Sequence, residues 1–84
     1  MIKDIFVVRD TKVGAFATPF YLENISVAMR AFAHAANDPT TDVGRYPSDF
    51  SLYHLGTYDD ETAKFDLMPE PFHLALASTL VEVK

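Results

Sequence analysis

The stretch AFAHAANDPTTDVGRYPSDFSLYHLGTYDDETAKF, residues 31–65 of an 84-residue chain, sets out the architecture in short form. It passes from the end of a helix through a polar loop into a strand, a tight acidic turn and a second strand. Just upstream, Asn24 is a good N-cap, because its side-chain oxygen can accept an otherwise unpaired amide of the first turn. Ile25, Met29, Phe32, Ala33 and Ala36 then recur at helical spacing and give one apolar face. Alanines at 28, 31, 33, 35 and 36 favour the helix and allow close packing. Pro39 stops it, so the helix is expected over Ile25 to Asn37. Asp38 to Pro47 reads as a loop, and Pro47-Ser48-Asp49 as a closing helical turn.

Phe50 to Tyr58 is the next expected strand. Its alternation sets Phe50, Leu52, His54 and Tyr58 against Ser51, Tyr53, Leu55 and Thr57. Ala63 to Met68 forms its partner, with Phe65 and Leu67 on one face. The turn between them, Tyr58 to Phe65, resembles the second hairpin of the immunoglobulin-binding domains of streptococcal protein G. That likeness covers eight residues and implies turn geometry only. It places Ala63 at a position of positive φ, which a non-glycine residue adopts at a cost of ~1–2 kcal/mol. Pro69-Glu70-Pro71 is expected to break the strand. Phe72 to Val83 reads as a helical turn followed by an extended segment.

Upstream of the helix, Ile2 to Arg9 is a β-branched and aromatic strand. Lys3, Ile5, Val7 and Arg9 fall on one face, and Ile2, Phe6 and Val8 on the other. Both faces are partly apolar, which puts this strand inside the sheet. Asp10 to Gly14 is a hairpin connection. Ala15 to Leu22 can pair back with Phe16, Thr18, Phe20 and Leu22 on one face, and Pro19 makes this strand an edge or bends it. The expectation is a single α+β domain over residues 1–84: an antiparallel sheet of about four strands in β-β-α-β-β order, with one main helix on one face.

Composition narrows the function classes. Hydrophobic residues make up 49% of the chain and aromatics 13%, with seven Phe and four Tyr, so a small core does not easily hide all of its apolar surface. A homodimer is the expected use of the excess. Cysteine is absent, which excludes disulfides and thiolate chemistry. No apolar run approaches the ~20 residues that span a bilayer, and Lys3-Asp4 with no long apolar stretch is not a signal peptide. A soluble, cytoplasmic protein without membrane contact is expected.

His34, His54 and His73 lie 20 and 19 residues apart, with no helical i, i+4 pair, so no metal site is expected. Asp59-Asp60-Glu61 lacks the spaced ligands and central glycine of a calcium loop and reads as a solvated turn. Gly14, Gly44 and Gly56 are too far apart to cradle a phosphate. No catalytic residues, no cofactor and no enzyme are expected.

Net charge is −5, the wrong sign for a protein that coats nucleic acid indiscriminately. The charge is unevenly spread. Residues 1–30 hold Lys3, Arg9, Lys12 and Arg30 against Asp4, Asp10 and Glu23, a balance of +1. Residues 31–84 hold Arg45, Lys64 and Lys84 against nine acids, a balance of −6. Any anionic partner must therefore meet the N-terminal part. Bases of single-stranded DNA stack on exposed Tyr or Phe beside basic groups, and Tyr21, Tyr46, Tyr53 and Tyr58 are candidates for such contacts. Lys64 lies beside Asp59, Asp60 and Glu61, so its field is offset. The candidate nucleic-acid-binding set is Lys3, Arg9, Lys12, Arg30, Arg45 and Tyr46.

Arg30-Ala31-Phe32, Asn37-Asp38-Pro39, Tyr46-Pro47-Ser48-Asp49-Phe50 and the run LGTYDDETAKF from Leu55 to Phe65 also carry a family likeness. In their order and wording they resemble the small nonstructural protein of gokushoviruses, single-stranded DNA phages of the microvirus family. The likeness covers most of the chain and is weakest at the C-terminus. It implies a DNA-binding accessory protein of the host cytoplasm, acting in the shift from double-stranded replication to single-stranded genome synthesis and packaging. It supplies no catalytic or base-reading residues. Two functions are thus expected in competition: a dimeric single-stranded DNA-binding factor, or an acidic protein-interaction module that regulates the replication initiator or a host factor without touching DNA.

Overall fold

The computed structural model describes residues 1–82. It is an α+β fold built on one antiparallel sheet. Strand β1 (Ile2–Asp10) is followed by two short strands, β2 (Ala15–Phe16) and β3 (Phe20–Leu22). Helix α1 (Ile25–Ala36) and a four-residue helix α2 (Asp42–Arg45) come next, then strands β4 (Phe50–Asp59) and β5 (Lys64–Leu76). Pro47–Asp49 and Ala77–Leu80 form 3-10 turns. β1 pairs with β2 and β3 on one side and with β4 on the other, and β5 closes the sheet as an edge strand. Val83, the end of the expected extended segment, and Lys84 lie outside the described residues.

The core lies between the sheet and α1. Phe6 and Leu52 are wholly buried, packed with Ala28, Phe32, Ala36 and Ala77. Three of those partners are alanines, which lets the helix and the C-terminal 3-10 turn settle close against the two large side chains. Asn24 caps α1 as expected, its Oδ1 accepting the Val27 amide at 2.9 Å. At the other end Asn37 ties two segments together. Its Nδ2 donates to the carbonyls of Ala33 and Leu80 at 2.8 and 3.0 Å, and its Oδ1 accepts the Glu82 amide at 2.7 Å.

Several local expectations need correction. The segment from Ala15 to Leu22 is not one alternating strand. Ala17 to Pro19 interrupts it, placing three residues opposite Val7 and Val8, so Phe16 and Phe20 end on opposite faces. The stretch expected as a loop contains α2, because Thr41 Oγ1 accepts the Gly44 amide at 3.0 Å and nucleates a turn. In β4 the expected alternation fails beyond His54. Ile5 sits opposite Gly56 while Phe6 sits opposite His54, so Leu55 is an extra residue and Tyr58 joins the Tyr53 face.

Pro69-Glu70-Pro71 does not end its strand, which continues to Leu76. The two prolines remove ladder donors, and β5 accommodates this by bulging: Met68 to Pro71 oppose the single residue Leu55 between the Gly56–Leu67 and His54–Phe72 pairs. The C-terminal helical turn consequently starts at Ala77 rather than near Phe72.

The hairpin turn adopts the geometry that its likeness implies, with Ala63 at φ 59°. Gly56 has φ 148°, and a Cβ there would lie 2.2 Å from the Asp66 carbonyl oxygen. Two expected outcomes follow for urea unfolding. Ala63→Gly should raise stability by roughly 1 kcal/mol, since it relieves the left-handed penalty. Gly56→Ala should lower it by about 1–3 kcal/mol from backbone strain alone, with further loss from the clash.

Candidate nucleic-acid interface

The face of the sheet turned away from α1 is defined by register. Starting from Lys3, Ile5, Val7 and Arg9 on β1, the directly paired residues are Phe16 and Tyr21 on one side, and Ser51, Tyr53, Gly56 and Tyr58 on the other. β5 adds Phe65, Leu67, His73 and Leu76. No described helix packs over this face, yet Ile5 and Val7 are only 3% and 2% exposed. The aromatic rings of the flanking strands cover them.

Those rings form two rows across the strands. In the first, Phe16 meets Tyr53 edge-on at 5.4 Å, and Tyr53 meets His73 at 5.2 Å. In the second, Tyr21 meets Tyr58 at 5.7 Å, and Tyr58 meets Phe65 at 4.8 Å. Tilted and edge-to-face pairs at such separations suit the ring quadrupoles better than flat stacking. While covering β1, the rows leave much of Phe16, Tyr21, Phe65 and Leu67 open to solvent, between 45% and 60% exposed.

Each row has a cation beside it. Arg9 lies over the Phe16 ring, its Cζ 5.3 Å from the centroid. Its Nε is buried without a hydrogen-bond partner, so the guanidinium is held largely by the ring. Lys3 stands opposite Tyr58, with its Nζ 3.8 Å from Asp60 at the tip of the hairpin. Among the described residues, no carboxylate occupies a paired position on this face. Asp4 and Asp66 flank Thr57 on the helix side, where Asp4 meets the His54 Nε2 at 3.0 Å and His54 stacks on Phe6.

The acidic turn bounds the face at the Lys3 end. The terminal ammonium of Met1 donates to Asp60 at 2.7 Å and lies 3.4 Å from Glu61. The hydrogen bond to Asp60 raises the ammonium pKa and holds the Asp60 carboxyl below the ordinary carboxylate range, with Lys3 adding a smaller effect. By the sign of that shift, the attraction is present above the ordinary carboxylate pKa and fades as pH falls through the depressed value.

The sequence-derived candidates do not come together. Lys3 and Arg9 share the open face. Lys12 lies in the turn after β1, beside a depression of about 440 Å³ that Asp10, Asp42, Tyr46 and Asp49 also line. Arg45 is bound to Asp42 at 2.7 Å. Tyr46 is thus exposed among carboxylates, and Arg30 is exposed on α1, on the other side of the sheet. Sequence reasoning found Tyr21, Tyr53 and Tyr58 as aromatic candidates but missed Phe16, Phe65 and His73. The phase changes at Pro19 and Leu55 hid their common face, and the Pro-Glu-Pro stretch concealed that His73 belongs to the sheet. No group of three or more residues among those described is placed to hold a metal ion, and no described helix is long and apolar enough to cross a membrane.

Because the rings are what covers Ile5 and Val7, Tyr58→Ala should destabilise the fold by roughly 1–2 kcal/mol, measured by urea unfolding. Arg30→Ala, on the outer surface of α1, should stay within about 0.5 kcal/mol of the parent.

The family model described as Phage ORF5 protein matches residues 3–80. No curated protein and no solved structure matches the chain. The match spans nearly the whole sequence, and the chain belongs to this bacteriophage protein family.

Proposed function

We propose that this phage ORF5 family member is a non-enzymatic accessory protein that holds single-stranded DNA on the open face of its sheet. The observation supporting this reading is the make-up of that face: two rows of partly exposed rings, Lys3 and Arg9 beside them, and, among the described residues, no carboxylate at a paired position. In a chain of net charge −5, such a surface concentrates what a single strand needs. Every base offers a π-face, and base–aromatic stacking contributes ~1–3 kcal/mol per base. Duplex DNA keeps those faces covered, so unpaired DNA is the fitting ligand.

The stage at which it acts is proposed from the likeness to the gokushovirus protein: the host cytoplasm, during the change from double-stranded replication to single-stranded genome synthesis and packaging. A homodimer fits the same picture. The outer edge of β5 is unpaired among the described residues, and its two ends on either side of the proline bulge are open to a second copy. A second reading, a protein-interaction module for a replication initiator or host factor, draws on the same edge and on the exposed Phe72 and acidic turn.

Fluorescence anisotropy with a labelled single strand separates the readings. Lys3→Ala combined with Arg9→Ala should weaken binding at least tenfold and lower the log–log salt slope by ~1.4, at ~0.7 for each phosphate no longer neutralised. Lys12→Ala combined with Arg45→Ala should change affinity less than about threefold, since both cations already face carboxylates. Absence of binding at low salt would favour the protein-interaction reading.

A further inference from the structure

We infer that the depression beside Lys3 is the primary nucleotide subsite of this face, with one base against the Tyr21–Tyr58–Phe65 row and its phosphate on Lys3. The inference rests on the single-strand reading above. Lys3, Tyr21, Tyr58, Ala63 and Phe65 line this depression, which measures about 450 Å³. That size is in the range of small-molecule sites, ~300–1,000 Å³, and rings with one ammonium suit a planar aromatic group carrying one negative charge.

Three further observations select this end. First, other depressions of similar size each include a carboxylate in their walls: Asp10, Asp42 and Asp49 in one, Glu70 in another, Glu23 in a third. No described carboxylate lines the depression in question. Second, the two cations of the face differ in freedom. Arg9 is committed to Phe16, whereas Lys3 makes a single long contact with Asp60 at 3.8 Å. An exposed pair at that length is readily exchanged for a phosphate. Third, Ala63 presents only a methyl group at the wall, at the one described non-glycine position with positive φ, and leaves the Phe65 ring 56% exposed.

It follows that affinity resides mainly in bases. The two described cations facing this surface are Lys3 and Arg9, so the salt slope for a single strand should be near ~1.4. A protein binding through a basic groove would show a much steeper one.

The test uses the full chain, which contains no tryptophan, so quenching of tyrosine emission reports stacking directly. A ten-nucleotide oligothymidylate is compared with an abasic strand of equal length and charge. The thymidylate should bind and quench, and the abasic strand should bind at least tenfold more weakly. Tyr58→Leu should weaken thymidylate binding about tenfold or more, and Tyr46→Leu, among the carboxylates beside Lys12 and off this face, less than about threefold, with folding verified by circular dichroism. Should Tyr58→Leu prove unfolded, Lys3→Gln serves instead and should lower the salt slope by ~0.7. Equal binding of thymidylate and abasic strands, or equal losses from the two tyrosine variants, overturns the subsite while leaving DNA binding in place. Failure of the parent protein to bind either strand overturns both.

Discussion

Everything in this fold depends on burying β1 from both sides. Ile5, Phe6 and Val7 are consecutive, and all three are nearly inaccessible to water. Successive residues of a strand point to opposite faces, so no single layer can cover them. Phe6 goes under α1, where alanines allow the helix to come close. Ile5 and Val7 face the other way, where there is no second long helix among the described residues. Rings from β2, β3, β4 and β5 lie over them instead. The open face is aromatic first for stability, and the binding role proposed for it draws on that solution.

Two irregularities make the arrangement possible. Around Pro19 one extra residue shifts the side-chain phase between β2 and β3, sending Phe16 and Tyr21 to the open face and Phe20 and Leu22 to the core. At Leu55 a bulge shifts the phase of β4, bringing Tyr58 level with Lys3 and Phe65. With strict alternation Tyr58 would point toward the helix, and its row would lose the ring that bridges Tyr21 to Phe65. Gly56 is required beside the bulge because any side chain would strike the backbone of β5.

The large elements were legible in the residues because each follows from a local cause. Asn24 and Pro39 bracket α1, β-branched and aromatic residues mark β1, and the acidic turn joins β4 to β5. The likeness of that turn even exposed the strained backbone at Ala63. What stayed hidden was relative phase. A bulge adds one residue without altering composition, so periodicity carried past it assigns every later side chain to the wrong face. Likewise Pro69 and Pro71 announce lost ladder donors, but only the pairing on both sides shows that the strand bulges and resumes. The binding candidates suffered from the same limit. Charge counted along the chain gathered Lys12, Arg30 and Arg45 with Lys3 and Arg9, though the fold distributes them over three surfaces.

Net charge does not describe the open face, for a related reason. Of the carboxylates near the sheet, Asp4 and Asp66 point to the helix side, Asp10 accepts the amides of its own turn, and Asp59 accepts the amide of Glu61. Asp60 is engaged with the Met1 ammonium. Asp4, Asp10, Asp59 and Asp60 sit where local hydrogen bonding calls for them, and the paired positions of the open face are left without a carboxylate within an acidic molecule. At physiological salt, fields are screened beyond about 8 Å, so a ligand on the ring rows responds to Lys3 and Arg9 more than to the distant acids of α2 or the C-terminal segment. The exceptions lie at the Lys3 end: Glu23 shares a depression with Lys3 and Tyr21, and Asp60 makes a 3.8 Å contact with Lys3 from the rim. On the proposed reading, a phosphate arriving there must displace that contact, so the acidic turn limits affinity for any anion and would leave discrimination to the bases.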